Sequence, residues 1–192
     1  DNNYRTPTLD QIFARMEGAK YFCSLDAKSG YNQVHLTEAA KEKSTVMWNG
    51  KPYRFTRAWF GAKAMPGHFQ ARMDHLMKVL TVGIYLDDLL CYASSPSEMV
   101  HTMEQVLLRC ENVGLKLHPK KSVFATAFCE FLGHMVSPGK LTPAAAKTRA
   151  FEALQPPKDV SELRSAVGLF KYYRCYDPMA GQLVEPMTTL LR

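Results

Sequence analysis

No run of about 18 apolar residues, the length a membrane span needs, occurs anywhere in the 192-residue sequence. Its opening D-N-N-Y-R also lacks the basic stretch and apolar core of a leader, so the chain is expected to be neither membrane-spanning nor secretory. Paired cysteines are missing too. Cys23, Cys91, Cys110, Cys129 and Cys175 are scattered singly with no C-x-x-C, and an odd count argues against a disulfide framework. They read as reduced core residues of an intracellular protein, whether cytoplasmic, nuclear or organellar. The six histidines include no i, i+4 pair, so a zinc site is not expected. No internal repeat or low-complexity tract is present, which leaves an ordinary globular chain. At 46% hydrophobic it can bury a real core, as one large domain or two small ones.

Positive charge is absent where it would be most expected. No Lys or Arg occurs between Lys78 and Arg109, yet that interval contains I-Y-L-D-D-L-L at Ile84–Leu90, two adjacent aspartates between apolar flanks. A Tyr-x-Asp-Asp at a hairpin tip exposes its carboxylates while Ile84, Leu89 and Leu90 bury the flanks. With no basic neighbour, a divalent cation is the natural partner; an ordinary polar turn is the plainer alternative. The net charge of +6 lies elsewhere. Through Val113 there are 13 Lys and Arg against 12 Asp and Glu, and from Gly114 onward 11 against 6. A basic segment downstream of an acidic turn suits a polyanion, although surplus lysine also serves simply as a solvated face.

Thr8-x-x-Gln11 has capping-box spacing, followed by Leu9, Ile12, Phe13 and Met16 on one helical stripe. Tyr21–Asp26 then reads as a strand closed by an acid, Gly30 as a turn, and Tyr31–Leu36 as extended again. Asn49-Gly50 between aromatic-bearing segments predicts a hairpin over Ser44–Phe55. Phe69, Met73, Leu76, Met77 and Leu80 share one stripe and predict a helix over Pro66–Leu80. Strands over Val82–Tyr85 and Leu89–Ala93 flank the acidic bend. Ser95-Pro96-Ser97-Glu98 then opens a helix that runs to Gly114. Leu115–Leu117, Ser122–Ala125 and Cys129–Leu132 read as short extended pieces, with a turn at Pro138-Gly139. Helices follow over about Pro143–Leu154, Val160–Tyr173 and Gly181–Leu191. This order suits an α+β fold: an antiparallel sheet with helices on one face, then a small helical unit beginning near Gly139.

Were Asp26 to lie across the sheet from Asp87 and Asp88, three carboxylates would converge, enough for two divalent metals about 3.5–4 Å apart. Such a pair serves in-line phosphoryl transfer, and magnesium fits because it prefers oxygen ligands and keeps phosphates in its shell.

The motifs around these acids resemble those of a known family. Tyr21–Leu36, Y-F-C-S-L-D-A-K-S-G-Y-N-Q-V-H-L, is similar to the first catalytic motif of reverse transcriptases from gypsy-type long-terminal-repeat retrotransposons. Phe60–Gln70 resembles their second motif, Tyr85–Asp88 their Tyr-x-Asp-Asp box, and Gly114–Lys121 the motif that follows. Phe131–His134 is similar to their primer-grip segment and Leu163–Arg174 to their thumb helix. Six matches in order cover nearly all of the chain.

The resemblance implies a polymerase palm with partial fingers over residues 1–138 and a thumb-like helical unit over 139–192. It implies templated addition of deoxynucleotides to a primer 3′-hydroxyl on RNA or DNA, with two Mg2+ ions or Mn2+ in their place. Asp26, Asp87 and Asp88 take the place of the metal-binding triad. Tyr31 takes that of the aromatic gate against a 2′-hydroxyl, with a packed strand aromatic as the alternative from the residues alone. Phe60 and Gln70 would flank nucleotide and template, Tyr85 would lie near the primer end, and Lys121 (or Lys120) would be the general acid. Phe131, Leu132 and Gly133 would position the primer, and Arg164, Lys171 and Arg174 would meet duplex phosphates.

Three departures stand beside the resemblance. Ala64-Met65-Pro66 replaces the usual Asn-Ala-Pro, Trp59 replaces a Pro, and the interval from Gln70 to Tyr85 is about three residues short of the family's usual spacing. The chain is expected to start after the fingers strands that clamp the triphosphate and to end before any ribonuclease H region. Missing Pol regions or a larger host complex are therefore expected partners. A non-catalytic structural subunit derived from a retroelement, or a nucleic-acid-binding remnant, are the competing readings.

Overall fold

Side chains alternate across a strand, so a strand buried on both faces along its inner part has to lie within a sheet that is covered on both sides. Tyr21–Asp26 is such a strand: Phe22, Cys23 and Leu25 are all buried. The computed structural model of the chain describes residues 4–176 and 179–191. Its first elements in order are α1 (Leu9–Ala14), β1 (Tyr21–Asp26), a 3-10 turn (Gly30–Gln33), α2 (Glu38–Lys43), β2 (Val46–Trp48) and β3 (Lys51–Tyr53). Next come α3 (Met65–Leu76), β4 (Val82–Tyr85), β5 (Asp88–Ala93), α4 (Pro96–Val113), β6 (Val123–Thr126) and β7 (Cys129–Phe131). The remainder is β8 (His134–Ser137), β9 (Lys140–Pro143), α5 (Ala145–Glu152), α6 (Val160–Tyr172), a 3-10 turn (Arg174–Tyr176) and α7 (Ala180–Thr189). The result is the expected α+β architecture.

Two compact units are present. One runs through Leu132 and includes Val136–Lys140; the other comprises Gly133–Met135 and the chain from Leu141 onward. In the first unit the main sheet has the order β4-β5-β1-β6, with β1 antiparallel to both of its neighbours. Register assigns the faces. Cys23 and Leu25 pair with Cys91 and Leu89, which pair in turn with Val82 and Ile84. This face packs on Phe69, Met73 and Met77 and on Met99, Met103, Val106 and Cys110 of α4. Burial of each large side chain there contributes about 1.5–3 kcal/mol. The opposite face pairs Phe22 with Tyr92, Ser24 with Leu90 and, at its end, Asp26 with Asp88. Gly83 belongs to that face and allows α1 to approach, since a Cβ there would stand 2.6 Å from Ile12 Cγ2.

Local chemistry sets the helix ends. Thr8 Oγ1 accepts from Gln11 N while Gln11 Oε1 accepts from Thr8 N, completing the expected box at α1. At α4, Ser95 Oγ accepts from Glu98 N, but Glu98 Oε2 reaches one residue further back to Ser94 N and Oγ. These Ser94 bonds hold the Glu98 carboxyl below its ordinary range. Gly114, at φ 69°, closes the helix in the left-handed conformation that glycine tolerates. Asn49 and Gly50, at φ 48° and 71°, make the β2–β3 turn of the kind their sequence predicts.

Several expectations are corrected. Tyr31–Leu36 is not extended throughout, because Ser29 at φ 51° starts a 3-10 turn in which Asn32 N donates to Ser29 O and Val34 N to Tyr31 O. Only its end runs beside Thr56–Ala58, with Ala58 N donating to Val34 O. Helix α2 was not foreseen: it buries no residue, so it leaves no apolar period, and its one signal is the Thr37 cap on Ala40 N. Helix α3 ends at Leu76 rather than Leu80, with Val79 at φ 65° just beyond it. The Pro138-Gly139 turn proves to join two strands, β8 and β9. Four cysteines are buried as expected, whereas Cys175 is exposed. Burial pushes the Cys110 thiol up to about 11 and Cys129 to about 12, so both remain protonated at neutral pH.

In the second unit, Asp159 Oδ1 caps α6 by accepting from Glu162 N. Phe151 packs on Phe170 and edge-on against Tyr173, and His134 is fully buried among Tyr172, Tyr173 and Tyr176.

Candidate active site

Only Leu86 and Asp87 join β4 to β5, with Tyr85 and Asp88 facing each other across the closing pair. Leu86 sits at φ 55°. A left-handed leucine costs roughly 1–2 kcal/mol, so the turn needs support from outside, and three groups supply it. Gln70, wholly buried on α3, accepts from Leu86 N through Oε1 at 2.7 Å. Its Nε2 donates to Ile84 O at 3.2 Å and to Asp74 Oδ1 at 2.9 Å. Asp87 O accepts from Ala27 N at 2.8 Å, tying the turn to the end of β1. Gly30 completes the seat. A Cβ on it would lie 2.8 Å from Phe69 Cζ and 3.1 Å from Asp87 Cβ.

The same register puts Asp26 directly opposite Asp88, on the face away from α3 and α4, with Tyr85 beside Asp88 on that face. Like charges opposite each other in a sheet destabilise it. The cost is visible at Asp88, whose carboxyl is pushed up to about 6, first by burial and then by the charges of Asp87 and Asp26, with Lys121 acting against them. Lys121 is a partial counterweight: its exposed Nζ stands 3.5 Å from Asp26 Oδ2. Two further backbone ties hold this edge, His118 N to Asp26 O and Lys28 N to Lys116 O, so the segment bearing Lys121 is anchored to β1.

Among the described residues, no three His, Cys, Asp or Glu side chains already form a metal-holding group. The donor set nonetheless fits a hard divalent cation. It offers carboxylate oxygens alone, at one sheet end, with negative charge that a single long lysine contact leaves largely uncompensated.

Asp88 gives a pH test of this electrostatic reading. A carboxyl whose folded value is raised contributes most below its ordinary value of 3.8 and loses that contribution as pH rises through about 6. Asp88→Asn should therefore melt close to the parent chain at pH 4.5, and above it at pH 7.5 in the absence of divalent cations. The gain expected is roughly 1 kcal/mol once solvent screening is allowed for. Equal melting shifts at both pH values would contradict it.

Aromatic residues stand against the acidic turn. Tyr31 lies 5.1 Å from the Phe60 ring and edge-on to Phe69 at 5.3 Å. Its hydroxyl is pushed up by burial, then by Asp87 and Tyr85, so it shares the electrostatic environment of the acids. Phe60 is 64% exposed and leaves one side of the pair open.

A family model described as reverse transcriptase (RNA-dependent DNA polymerase) matches residues 1–136. The chain belongs to the reverse transcriptase family. Over its whole length it is 28% identical to a retrovirus-related Pol polyprotein from transposon 297 of Drosophila melanogaster, and 29% identical to that from transposon gypsy of the same organism. It covers 18% and 19% of those proteins, so it spans about a fifth of the length of the curated relatives it matches. Among solved structures, a foamy viral protease-reverse transcriptase in complex with RNA/DNA hybrid superposes with a TM-score of 0.84 at 20% identity. That match covers 98% of this chain and 26% of the other. The fold is thus that of a reverse transcriptase.

Within this reverse transcriptase fold, the structure gathers Asp26, Asp87, Asp88, Tyr31, Phe60, Tyr85 and Lys121 around one sheet end. Expected at the nucleotide, Gln70 is buried and its amide is spent on Ile84, Leu86 and Asp74, so it positions the acidic turn from beneath. Phe131 is buried, and Leu132 and Gly133 form a left-handed pair at φ 51° and 77°. Gly133 has no room for a side chain, because a Cβ would meet Tyr173 Oη at 2.8 Å. Arg164, Lys171 and Arg174 are exposed on α6 and the turn after it, in the second unit. Ala27 and Gly30 were missed as supports of Asp87. The one signal for them was their place just after the acid that ends β1, since backbone donors and close approach leave little trace in residue type.

Proposed function

We propose that this chain is the palm with partial fingers (1–138) and the thumb (139–192) of a retrotransposon reverse transcriptase, adding deoxynucleotides to a primer 3′-hydroxyl under an RNA or DNA template. The observation that carries the reading is the pairing of Asp26 with Asp88 while Asp87 O is held by Ala27 N, which collects three acids from two distant segments. Asp26, Asp87 and Asp88 would hold two divalent cations, Mg2+ or Mn2+. Bound there, such ions lower the pKa of an attacking hydroxyl and neutralise charge on the leaving phosphates.

The chain's own residues do the rest. Tyr31, braced by Phe69 and Phe60, presents a rigid ring that would crowd a 2′-hydroxyl, while the open side of Phe60 offers a stacking surface for the nucleotide. Lys121 Nζ, exposed and only weakly held at 3.5 Å, is free to turn from Asp26 and give its proton to the departing pyrophosphate. Tyr85 flanks the primer end, and Phe131, Leu132 and Gly133 orient the primer strand. Arg164, Lys171 and Arg174 supply sequence-independent contacts to duplex phosphates. Template and primer are the nucleic-acid partners, and the remaining Pol regions complete the enzyme. Among the described residues no helix is long and apolar enough to cross a membrane.

The test is primer extension on RNA and DNA templates with Mg2+ or Mn2+. Metal-dependent extension supports the reading. Failure to extend, by this chain and by the longer Pol polypeptide that contains it, refutes it, and duplex binding without extension would leave a nucleic-acid-binding remnant. Tyr31→Ala adds a specificity arm: ribonucleotide incorporation relative to deoxynucleotide should rise about a hundredfold, the loss of a close steric contact in the transition state. An unchanged ratio would remove Tyr31 from the sugar site.

A further inference from the structure

A concavity away from the acids lies in the first unit, along α3. It has a volume of about 740 Å³, within the range of about 300–1,000 Å³ of small-molecule sites. Three structural pieces line it: the segment from Gln33 to Thr37, the stretch of α3 from His68 to Leu76, and the chain around Gly114 where α4 ends. Their sequences divide its lining by chemistry. Phe69 and Met73 are buried and Leu36, Leu76 and Leu115 half-buried, which makes an apolar floor.

The rim is different. His35, His68, Arg72 and His75 all line the cavity and all are exposed. His68, Arg72 and His75 follow one another at i, i+4 and i+7 on α3, so they form a single stripe along one wall. Among the described residues that line the cavity there is no carboxylate. Gln33 is committed elsewhere, its amide donating to Lys28 O and Lys116 O and accepting from Lys116 N, so it stiffens the wall.

An apolar floor under a rim able to donate hydrogen bonds and positive charge, with no negative group to oppose them, selects one ligand class. We propose that this cavity binds a small anionic molecule with an apolar body, its charged group at Arg72 and the imidazoles and its ring or chain against Phe69 and Met73. The wall that Arg72 sits on is α3, the helix that carries Gln70, so the site is distinct from the acids yet shares an element with them.

The test uses anilinonaphthalene sulfonate as probe, with neutral phenylnaphthylamine as its uncharged counterpart, followed by fluorescence on the folded chain. Saturable binding of the sulfonate at one site is expected, about tenfold tighter than the neutral probe. Arg72→Glu, at an exposed position that leaves the core untouched, should weaken sulfonate binding at least tenfold. Ala71→Trp should fill the cavity and abolish binding of both probes; should that variant not fold, the Arg72→Glu result decides. Equal affinity for the two probes, or sulfonate binding unchanged by Arg72→Glu, overturns the proposal, as does the absence of saturable binding.

Discussion

Primer extension by the Asp87→Asn chain is expected to fall about a thousandfold below that of the parent, equivalent to about 4 kcal/mol of barrier. Asparagine keeps the size of the side chain and leaves the backbone bond from Ala27 N to Asp87 O intact, so the turn itself should survive. What is lost is one of three negative charges at the sheet end. Asp88, which Asp87 helps push up to about 6, should then titrate closer to its ordinary value. The variant should consequently melt no lower than the parent, and in the absence of divalent cations slightly higher. A large loss of extension with unimpaired stability is the signature of a charge retained for chemistry at the expense of the fold. The measurements are single-turnover extension rate, melting temperature and duplex affinity, the last expected to stay within about twofold because phosphate contacts by basic residues do not involve Asp87. Extension within tenfold of the parent would remove Asp87 from the metal site.

Legibility of the fold followed from the range of the interactions. Strands β1 and β4 were readable to the residue because an apolar run bounded by an acid or a turn is local information, and the Asn49-Gly50 hairpin because a single dipeptide specifies its backbone. The 3-10 turn after Ser29 and the surface helix α2 were not. The first depends on a non-glycine residue held at positive φ by its surroundings, and the second buries nothing that would impose a period. The candidate site divides in the same way. Paired acids without basic neighbours are conspicuous in any sequence, so Asp87 and Asp88 pointed to a cation before any fold was known. That Asp26 faces Asp88 is a register, set by side-chain packing across the whole length of β1 and β5, and is invisible until the strands are paired. At Gln70 the sequence is ambiguous: residue type does not distinguish an amide facing a ligand from one facing a backbone turn.

That amide is where the second large effect should appear. Gln70→Leu is close in volume and suits a buried position, but it leaves Leu86 N and Ile84 O without the partners they have at 2.7 and 3.2 Å. Stranding buried backbone groups costs about 1–3 kcal/mol each, so a melting loss of several degrees is expected. The activity loss should exceed what unfolding explains. Leu86 is in a left-handed conformation, and the Gln70 bond is the support that acts on Leu86 itself, since the Ala27 bond and the Gly30 seat hold Asp87; its release would loosen the tip that bears Asp87. A displacement of about 1 Å at a reacting centre can cost about a hundredfold in rate. Extension measured well below the melting temperature should fall by about that factor, with the Mg2+ concentration for half-maximal rate rising several-fold because the acids no longer start from one arrangement. Gln70→Glu separates the two halves of the clamp. It keeps an acceptor for Leu86 N but loses the donor to Ile84 O and places a carboxylate against Asp74, so it should be the less stable variant yet retain more activity per folded molecule. If both variants lost activity only in proportion to the unfolded fraction, with unchanged Mg2+ dependence, Gln70 would be an ordinary core residue and the acidic turn would hold its shape without it.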